Sequence, residues 1–230
     1  MNIATRLTTL SLVVLLHLGC NTSQPCTVTM EQSPELRGFR LGMTLTDIRK
    51  HFSEFPSVSA NQIGVATIEI SPDYIKNALN EQRGDDVVSL LSSSSFPELN
   101  ELKHVRLKLL DGRLIEITVF YPNDIKWRSA DEFVQKTSDA LKLNGTWKQL
   151  SDSDYSNSRL LQCGDIVKGF FVKAGFQKPP TVSASSFEPK LPYVELQDFM
   201  QGEMEVFRRK RESEERAKRE EEKRKETFRP

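Results

Sequence analysis

The chain has 230 residues, of which 32 are basic and 32 acidic, so its formal net charge is zero. This balance excludes the overall positive charge by which many proteins attract nucleic acid or anionic lipid. The length predicts one domain, either alone or with an appendage, and no apolar run reaches the roughly 18 residues that a membrane-spanning helix needs.

The first nineteen residues have the layout of a secretory signal peptide. Arg6 supplies positive charge, residues 10–18 form a short apolar stretch, and the small Gly19 precedes Cys20. Such a stretch is too short for an anchor helix and is typical of a cleaved signal. Glycine followed by cysteine at this place resembles the bacterial lipoprotein box, in which the cysteine becomes the acylated first residue. We therefore predict lipidation of Cys20; an ordinary secreted protein is the alternative.

The chain contains three cysteines, Cys20, Cys26 and Cys163. If lipid occupies Cys20, the other two remain as an even pair in a compartment that permits disulfides. A bridge between Cys26 and Cys163 would join an N-terminal tether to the folded domain. Two unpaired thiols are the alternative.

Helix-capping residues and alternating apolar residues predict the first helix and the first strand. Thr44 and Asp47 have the spacing of a capping box, so we expect a short amphipathic helix over residues 44–53. The alternating residues 66–70 predict a strand. Further helical turns are expected over residues 73–81 and 87–91.

The clearest strand signal is a hairpin. Residues 105–109 alternate, Asp111 and Gly112 suit a tight turn, and residues 114–121 return as a second strand. The alternation places Val105, Leu107 and Leu109 toward the core.

The second half of the domain adds a helix and another hairpin. Ser129 opens a capping box for a helix through Leu141. Residues 160–163 and 167–172 predict a second hairpin, and a short apolar piece follows at residues 193–196. We therefore predict an α+β fold, with an antiparallel sheet of four or five strands and helices on one face.

The C-terminal segment changes character, since eighteen of the 23 residues 208–230 are charged. Glutamates four positions before basic residues favour a solvated helix, and no apolar seam indicates a coiled coil. The predicted organisation is a signal peptide (1–19), a tether (20–35), an α+β domain (36–200) and a charged helical or disordered tail (201–230).

Motifs for chemistry are sparse. After removal of the signal, His51 and His104 are the only histidines, and neither has a second histidine or cysteine at metal-binding spacing. We therefore expect no catalytic residue, metal or cofactor. Tyr121, Trp127 and Tyr155 could line a ligand groove, with core packing as the alternative.

Two short segments resemble a known family. Residues 40–48 (RLGMTLTDI) are similar to the opening of SmpA/OmlA (BamE-like) lipoprotein domains, where a Gly-Met-Thr turn starts a short helix. Residues 109–114 resemble their hairpin of strand, Asp-Gly and strand. The resemblance covers residues 37–56 and 104–121. It implies a small, exported, lipid-anchored protein with helices on an antiparallel sheet, and it transfers no catalytic residue.

Together these observations predict an exported, lipid-anchored, non-enzymatic binding or scaffold protein of the bacterial cell envelope, on the periplasmic face of a membrane. Its expected partners are the membrane, through the lipid, and an envelope protein, but not nucleic acid. Two alternatives stay open: a periplasmic protein that binds a small ligand or lipid, and an envelope hydrolase whose site only the fold assembles.

Overall fold

A computed structural model describes residues 24–72, 88–124, 126–150, 157–177 and 190–227. The described strands are β1 (Val65–Ser71), β2 (Val88–Ser92), β3 (His104–Leu110), β4 (Arg113–Phe120), β5 (Lys148–Gln149), β6 (Ser158–Cys163), β7 (Phe170–Gln177) and β8 (Leu191–Asp198). They form one eight-stranded sheet in the order β2-β1-β3-β4-β8-β7-β6-β5.

The predicted antiparallel sheet of four or five strands is wrong, because the sheet has eight strands and is mixed. β2 pairs in parallel with β1, from Thr67 opposite Val88 to Ser71 opposite Ser92. The helical turn predicted at residues 87–91 is therefore wrong, because a short apolar run fits a strand as well as a helical turn. The helix predicted over residues 73–81 lies outside the described residues.

The short apolar piece predicted at residues 193–196 belongs to a central strand. β8 lies between β4 and β7 and pairs with both in antiparallel register. The local sequence of β8 does not show that the strand is central, because the burial of a central strand comes from neighbouring strands that are far away in the sequence.

The described helices are α1 (Leu45–His51), α2 (Ala130–Ala140) and α3 (Val206–Thr227), the last preceded by a π-helical segment at Met200–Glu205. The capping box of α1 is confirmed, since Thr44 and Asp47 exchange hydrogen bonds of 3.1 and 3.2 Å. α2 begins after the predicted cap Ser129, whose hydroxyl accepts from the Glu132 N–H at 3.1 Å. The other half of the predicted capping box is absent, because the Glu132 carboxylate accepts from the Arg128 N–H at 2.8 Å instead of from the Ser129 N–H.

The predicted β3–β4 hairpin is confirmed. Asp111 and Gly112 form its turn with φ angles of 50° and 75°. Val105, Leu107 and Leu109 are buried, as the alternation requires. The β6–β7 hairpin is also confirmed, although β7 begins only at Phe170.

Helices lie on both faces of the sheet, not on one. The main core contains alternate side chains of the central strands together with Ile48 of α1 and Phe133 of α2. A small second cluster on the opposite face joins Val65 and Leu110 to Val206 of α3. Because neighbouring residues of a strand point to opposite faces, these two clusters are separated by the sheet itself.

The predicted disulfide is present between Cys26 and Cys163, whose Cα atoms lie 4.6 Å apart. Gly145, which follows α2 and has φ 109°, lies against the disulfide-bonded tether. A Cβ atom at this position would lie 2.7 Å from the backbone nitrogen of Cys26, so only glycine leaves room for the tether.

The charged tail is helical, but its first turns are not free in solvent. The Arg209 guanidinium contacts both carboxylate oxygens of Asp111, at 3.0 and 2.7 Å, and donates to the Ile63 carbonyl at 3.1 Å. Beyond Glu214 the described residues of α3 are exposed, as predicted. Within the described part of the chain, no helix has the length and apolar character that crossing a membrane would demand.

Candidate functional site

An apolar groove of about 950 Å³ opens at one end of the sheet, where β4 ends and β3 begins. Its lining combines residues that follow β4 with one side of α2 and the segment before α1. Its principal apolar and aromatic members are Leu36, Tyr121, Trp127, Phe133 and Leu141.

The aromatic residues of this groove are fixed by a buried ring. Phe133, on the inner side of α2, contacts Trp127 edge-on with ring centroids 5.1 Å apart, and Tyr121 edge-on at 6.3 Å. On its other side Phe133 packs on Phe176 of β7. Trp127 and Tyr121 are half-buried, so each is held by the core and still presents part of its ring to the groove.

Cationic side chains occur among the groove residues. Arg37, Lys103 and Lys136 line it together with Glu101 and Asp124. The Arg37 guanidinium carbon lies 5.8 Å from the centre of the Tyr121 ring, in cation–π range. Burial raises the pKa of Tyr121, and the nearby Arg37 only partly offsets that effect, so the phenol is neutral at physiological pH.

The opposite face of the sheet carries a buried ionic network. The Glu69 carboxylate contacts Nε2 of His104 with one oxygen and accepts from Nε of Arg106 at 2.6 Å with the other. Glu69 and His104 are 4% and 1% exposed, so both are withdrawn from water. The pairing follows from the sheet, because Glu69 of β1 lies directly opposite Arg106 of β3.

Two glutamates of this face differ in the direction of their pKa shifts. Burial alone would raise the pKa of Glu69, but the hydrogen bond and charge of His104 and the charge of Arg106 outweigh it and lower that pKa. Glu116 is half-buried in the same face, and its pKa is raised by burial and then by the negative charge of Glu195. Glu195 itself pairs with Lys173 at 2.7 Å.

A second cavity of about 980 Å³ lies between this charged face and α3. It is lined by acids and bases together, among them Glu116 and Lys108 from the sheet and Lys210 and Glu214 from α3. His104 does not line it, and the carboxylate of Glu69 is already held by two donors. Such a network is typical of a structural ion cluster, and among the described residues no group of acids, histidines and cysteines is suited to hold a metal ion.

Two of the three aromatic residues that the sequence suggests for a ligand groove lie close together in the structure. Tyr121 and Trp127 both line the groove, whereas Tyr155 and Cys20 lie outside the described residues. His51 is exposed at the end of α1, and His104 is buried and paired.

The Glu69–His104–Arg106 network cannot be recognised from the sequence alone. By alternation, all three residues lie on the side of their strands that the sequence predicts to face solvent. Alternation does place His104 and Arg106 on one face of β3, but only the pairing of β1 with β3 brings Glu69 beside them.

No family model, curated protein or solved structure matches the chain. The similarity of residues 40–48 and 109–114 to SmpA/OmlA domains therefore stays a prediction.

Proposed function

We propose that this chain is a non-enzymatic binding protein of the bacterial cell envelope, and that the apolar groove receives an apolar segment of a protein partner. The observation that carries the proposal is the pair of half-buried rings, Trp127 and Tyr121, held by Phe133 at the groove wall. Rings that are already fixed lose little conformational entropy when a partner covers them.

The residue types of the groove favour a protein partner. Tryptophan, tyrosine and arginine are the commonest residues at the energetic centre of protein interfaces. Here Trp127, Tyr121 and Arg37 lie together in one groove, with Lys103 and Lys136 also among its lining residues. Charged side chains around an apolar centre are typical of interface rims.

The proposal includes the cellular location of the protein. We infer that lipid on Cys20 holds the protein at the periplasmic face of a membrane. The Cys26–Cys163 disulfide supports export, because such bonds persist in oxidising compartments and are rare in the cytosol. A Cys20→Ser variant is expected to leave the membrane fraction, and unchanged detergent partitioning would contradict the lipid anchor.

A second candidate is a small amphiphilic ligand. The groove volume of about 950 Å³ lies within the range of ligand pockets, which is roughly 300–1,000 Å³. By contrast, the charged face favours a structural use over a hydrolase, since the Glu69 carboxylate is held by both His104 and Arg106.

The partner is tested by affinity capture after crosslinking in intact cells. Trp127→Ala removes the largest ring of the groove and is expected to weaken binding by about 2 kcal/mol or more, roughly thirty-fold. Phe207→Ala is the matched control, because Phe207 is 66% exposed on α3 and is not among the groove residues. Equal capture by both variants would contradict the proposal.

Fluorescence separates the two candidates. Trp147→Phe leaves Trp127 as the only tryptophan. If the groove takes small amphiphiles, adding a fatty acid to the purified protein will shift the Trp127 emission to the blue. Under the protein-partner proposal, that emission shifts with the captured partner and not with the fatty acid.

A further inference from the structure

The β6–β7 hairpin ends in an exposed apolar tip, and we propose that this tip is a second contact with the membrane. The hairpin tip, residues 165–168, carries Ile166 and Val167, which are 55% and 68% exposed. The inference rests on the lipid anchor at Cys20 proposed above. It adds the surface with which the anchored domain would meet the bilayer.

The hairpin tip is held in place by its own hydrogen bonds. One carboxylate oxygen of Asp165 accepts from the N–H of Val167 at 2.8 Å and from the N–H of Lys168 at 2.7 Å. At the base of the tip, a Cβ atom on Gly169 would lie 2.2 Å from the Cys163 carbonyl oxygen, so glycine is required for this closure. The two aliphatic side chains are therefore presented to solvent by a fixed loop.

The tether joins the domain beside this tip. Cys26 is bonded to Cys163 at the end of β6, and the Gly164 N–H donates to the Cys26 carbonyl at 3.3 Å. Gln24 is held as well, since its N–H donates to the Thr146 hydroxyl and its carbonyl accepts from the Thr146 N–H, both at 2.9 Å.

The length of the remaining tether limits where the anchor lies. The four residues from Gln24 back to Cys20 span at most about 14 Å when fully extended. That reach is shorter than an eight-residue strand, which is about 25 Å long. Acyl chains on Cys20 therefore keep the disulfide-bonded side of the sheet close to the bilayer.

A phospholipid surface fits the chemistry of the hairpin tip. Ile166 and Val167 can enter the boundary between headgroups and acyl chains, while the exposed Lys168 next to them can reach lipid phosphates. Many peripheral proteins combine a lipid chain with a second membrane signal. This second contact would restrict the rotation of the domain on its tether.

The contact also sets the direction in which the groove faces. Cys163 pairs with Phe170, and Phe170 with Asp198, so the hairpin tip lies where β8 ends. The backbone N–H of Tyr121, a groove residue, donates to the Pro192 carbonyl at 2.9 Å, where β8 begins. The end of the groove that contains Tyr121 is therefore at the opposite end of the sheet from the hairpin tip and would face away from the membrane.

The test uses the full lipidated chain in phospholipid vesicles. Trp127→Phe and Trp147→Phe remove the native tryptophan emission, and Val167→Trp then places a reporter at the hairpin tip. Asn123→Trp in the same background is the matched control, since Asn123 is exposed and follows β4 at the far end of the sheet. We expect blue-shifted emission that brominated phospholipids quench for Val167→Trp, and unquenched emission for Asn123→Trp.

Three other results would overturn the inference. They also show whether the membrane contact alone or the lipid anchor as well is absent. Protein that floats with the vesicles while its tip reporter is unquenched overturns the membrane contact and leaves the lipid anchor standing. A tip reporter that is blue-shifted but unquenched indicates a protein contact instead, with the same consequence. Protein that does not float overturns the anchor and this inference together. Ile166→Trp is a second reporter if Val167→Trp alters the fold.

Discussion

The two faces of the sheet are stabilised in different ways. One face is apolar and packs Leu107 and its neighbours against α1 and α2. The other buries Glu69, His104 and Thr118 and is only partly covered by the start of α3. An apolar face tolerates any good packing, whereas a buried carboxylate requires particular donors at hydrogen-bond distance. The charged face should therefore be more sensitive to single substitutions and to pH.

The largest effect is expected from His104→Leu. This substitution removes the hydrogen-bond donor from one oxygen of the buried Glu69 carboxylate and leaves that oxygen facing an apolar side chain, which costs about 3 kcal/mol or more for a charged group. His104→Gln is the matched control, because its amide can still donate a hydrogen bond. Denaturant unfolding should show a clearly smaller loss for His104→Gln; equal losses would mean that packing, not the donor, stabilises this face.

Leu107→Ala tests the apolar face. Leu107 is fully buried, and its truncation should lower the free energy of unfolding by about 3 kcal/mol. Because no charge is involved, that loss should stay the same between neutral and mildly acidic pH. A loss that varied with pH would show that the two faces are coupled through the sheet.

Opposite pH dependences are expected for the two glutamates of the charged face. The folded-state pKa of Glu69 is lowered, so its contribution to stability is present above the unfolded value of about 4.3 and is lost as the pH falls through the folded value. The folded-state pKa of Glu116 is raised, so ionised Glu116 opposes folding at neutral pH.

The matched pair Glu69→Gln and Glu116→Gln measures this difference. At pH 7, Glu116→Gln should be more stable than the wild type and Glu69→Gln less stable. The Glu116→Gln difference should shrink as the pH falls through the raised folded-state pKa of Glu116 toward the unfolded value of about 4.3. The Glu69→Gln difference should shrink only below about pH 4.3, as the pH falls toward the lowered folded-state pKa of Glu69. Curves of unfolding free energy against pH that shift in the same direction for both variants would contradict these assignments.

The smallest effect concerns the docking of α3. Arg209→Ala removes the ion pair with Asp111, whose side chain is 59% exposed, so solvent screening limits the loss to about 1 kcal/mol or less. Arg211→Ala is the control, since the ion pair that Arg211 makes among the described residues is with Glu215 of its own helix, at 3.8 Å. Thermal unfolding in low salt should separate the two variants, and the separation should decrease in high salt.

Much of the apolar face could be predicted from the sequence. Alternation over residues 105–109 and the capping residue Thr44 identified elements whose signals are local. The parallel strand β2 could not be found in this way, because an apolar run of five residues fits a strand or a helical turn equally well.

The charged face and the groove depend on contacts between distant segments. Glu69 and His104 are 35 residues apart, and Arg209 meets Asp111 across 98 residues. The turn accounts for Asp111 in the sequence, although its carboxylate also binds Arg209 of α3. For the groove, the residue types of Tyr121 and Trp127 were informative, but their shared contact with Phe133 required the fold.

The most direct test of the binding proposal is site-specific photocrosslinking in cells. A photoreactive phenylalanine analogue at position 127 would sample the groove, and the same analogue at position 207 would sample the exposed start of α3. The proposal predicts a discrete adduct with one envelope protein from position 127 only. No adduct at position 127, or the same adducts from both positions, would contradict the assignment of the groove as a binding site.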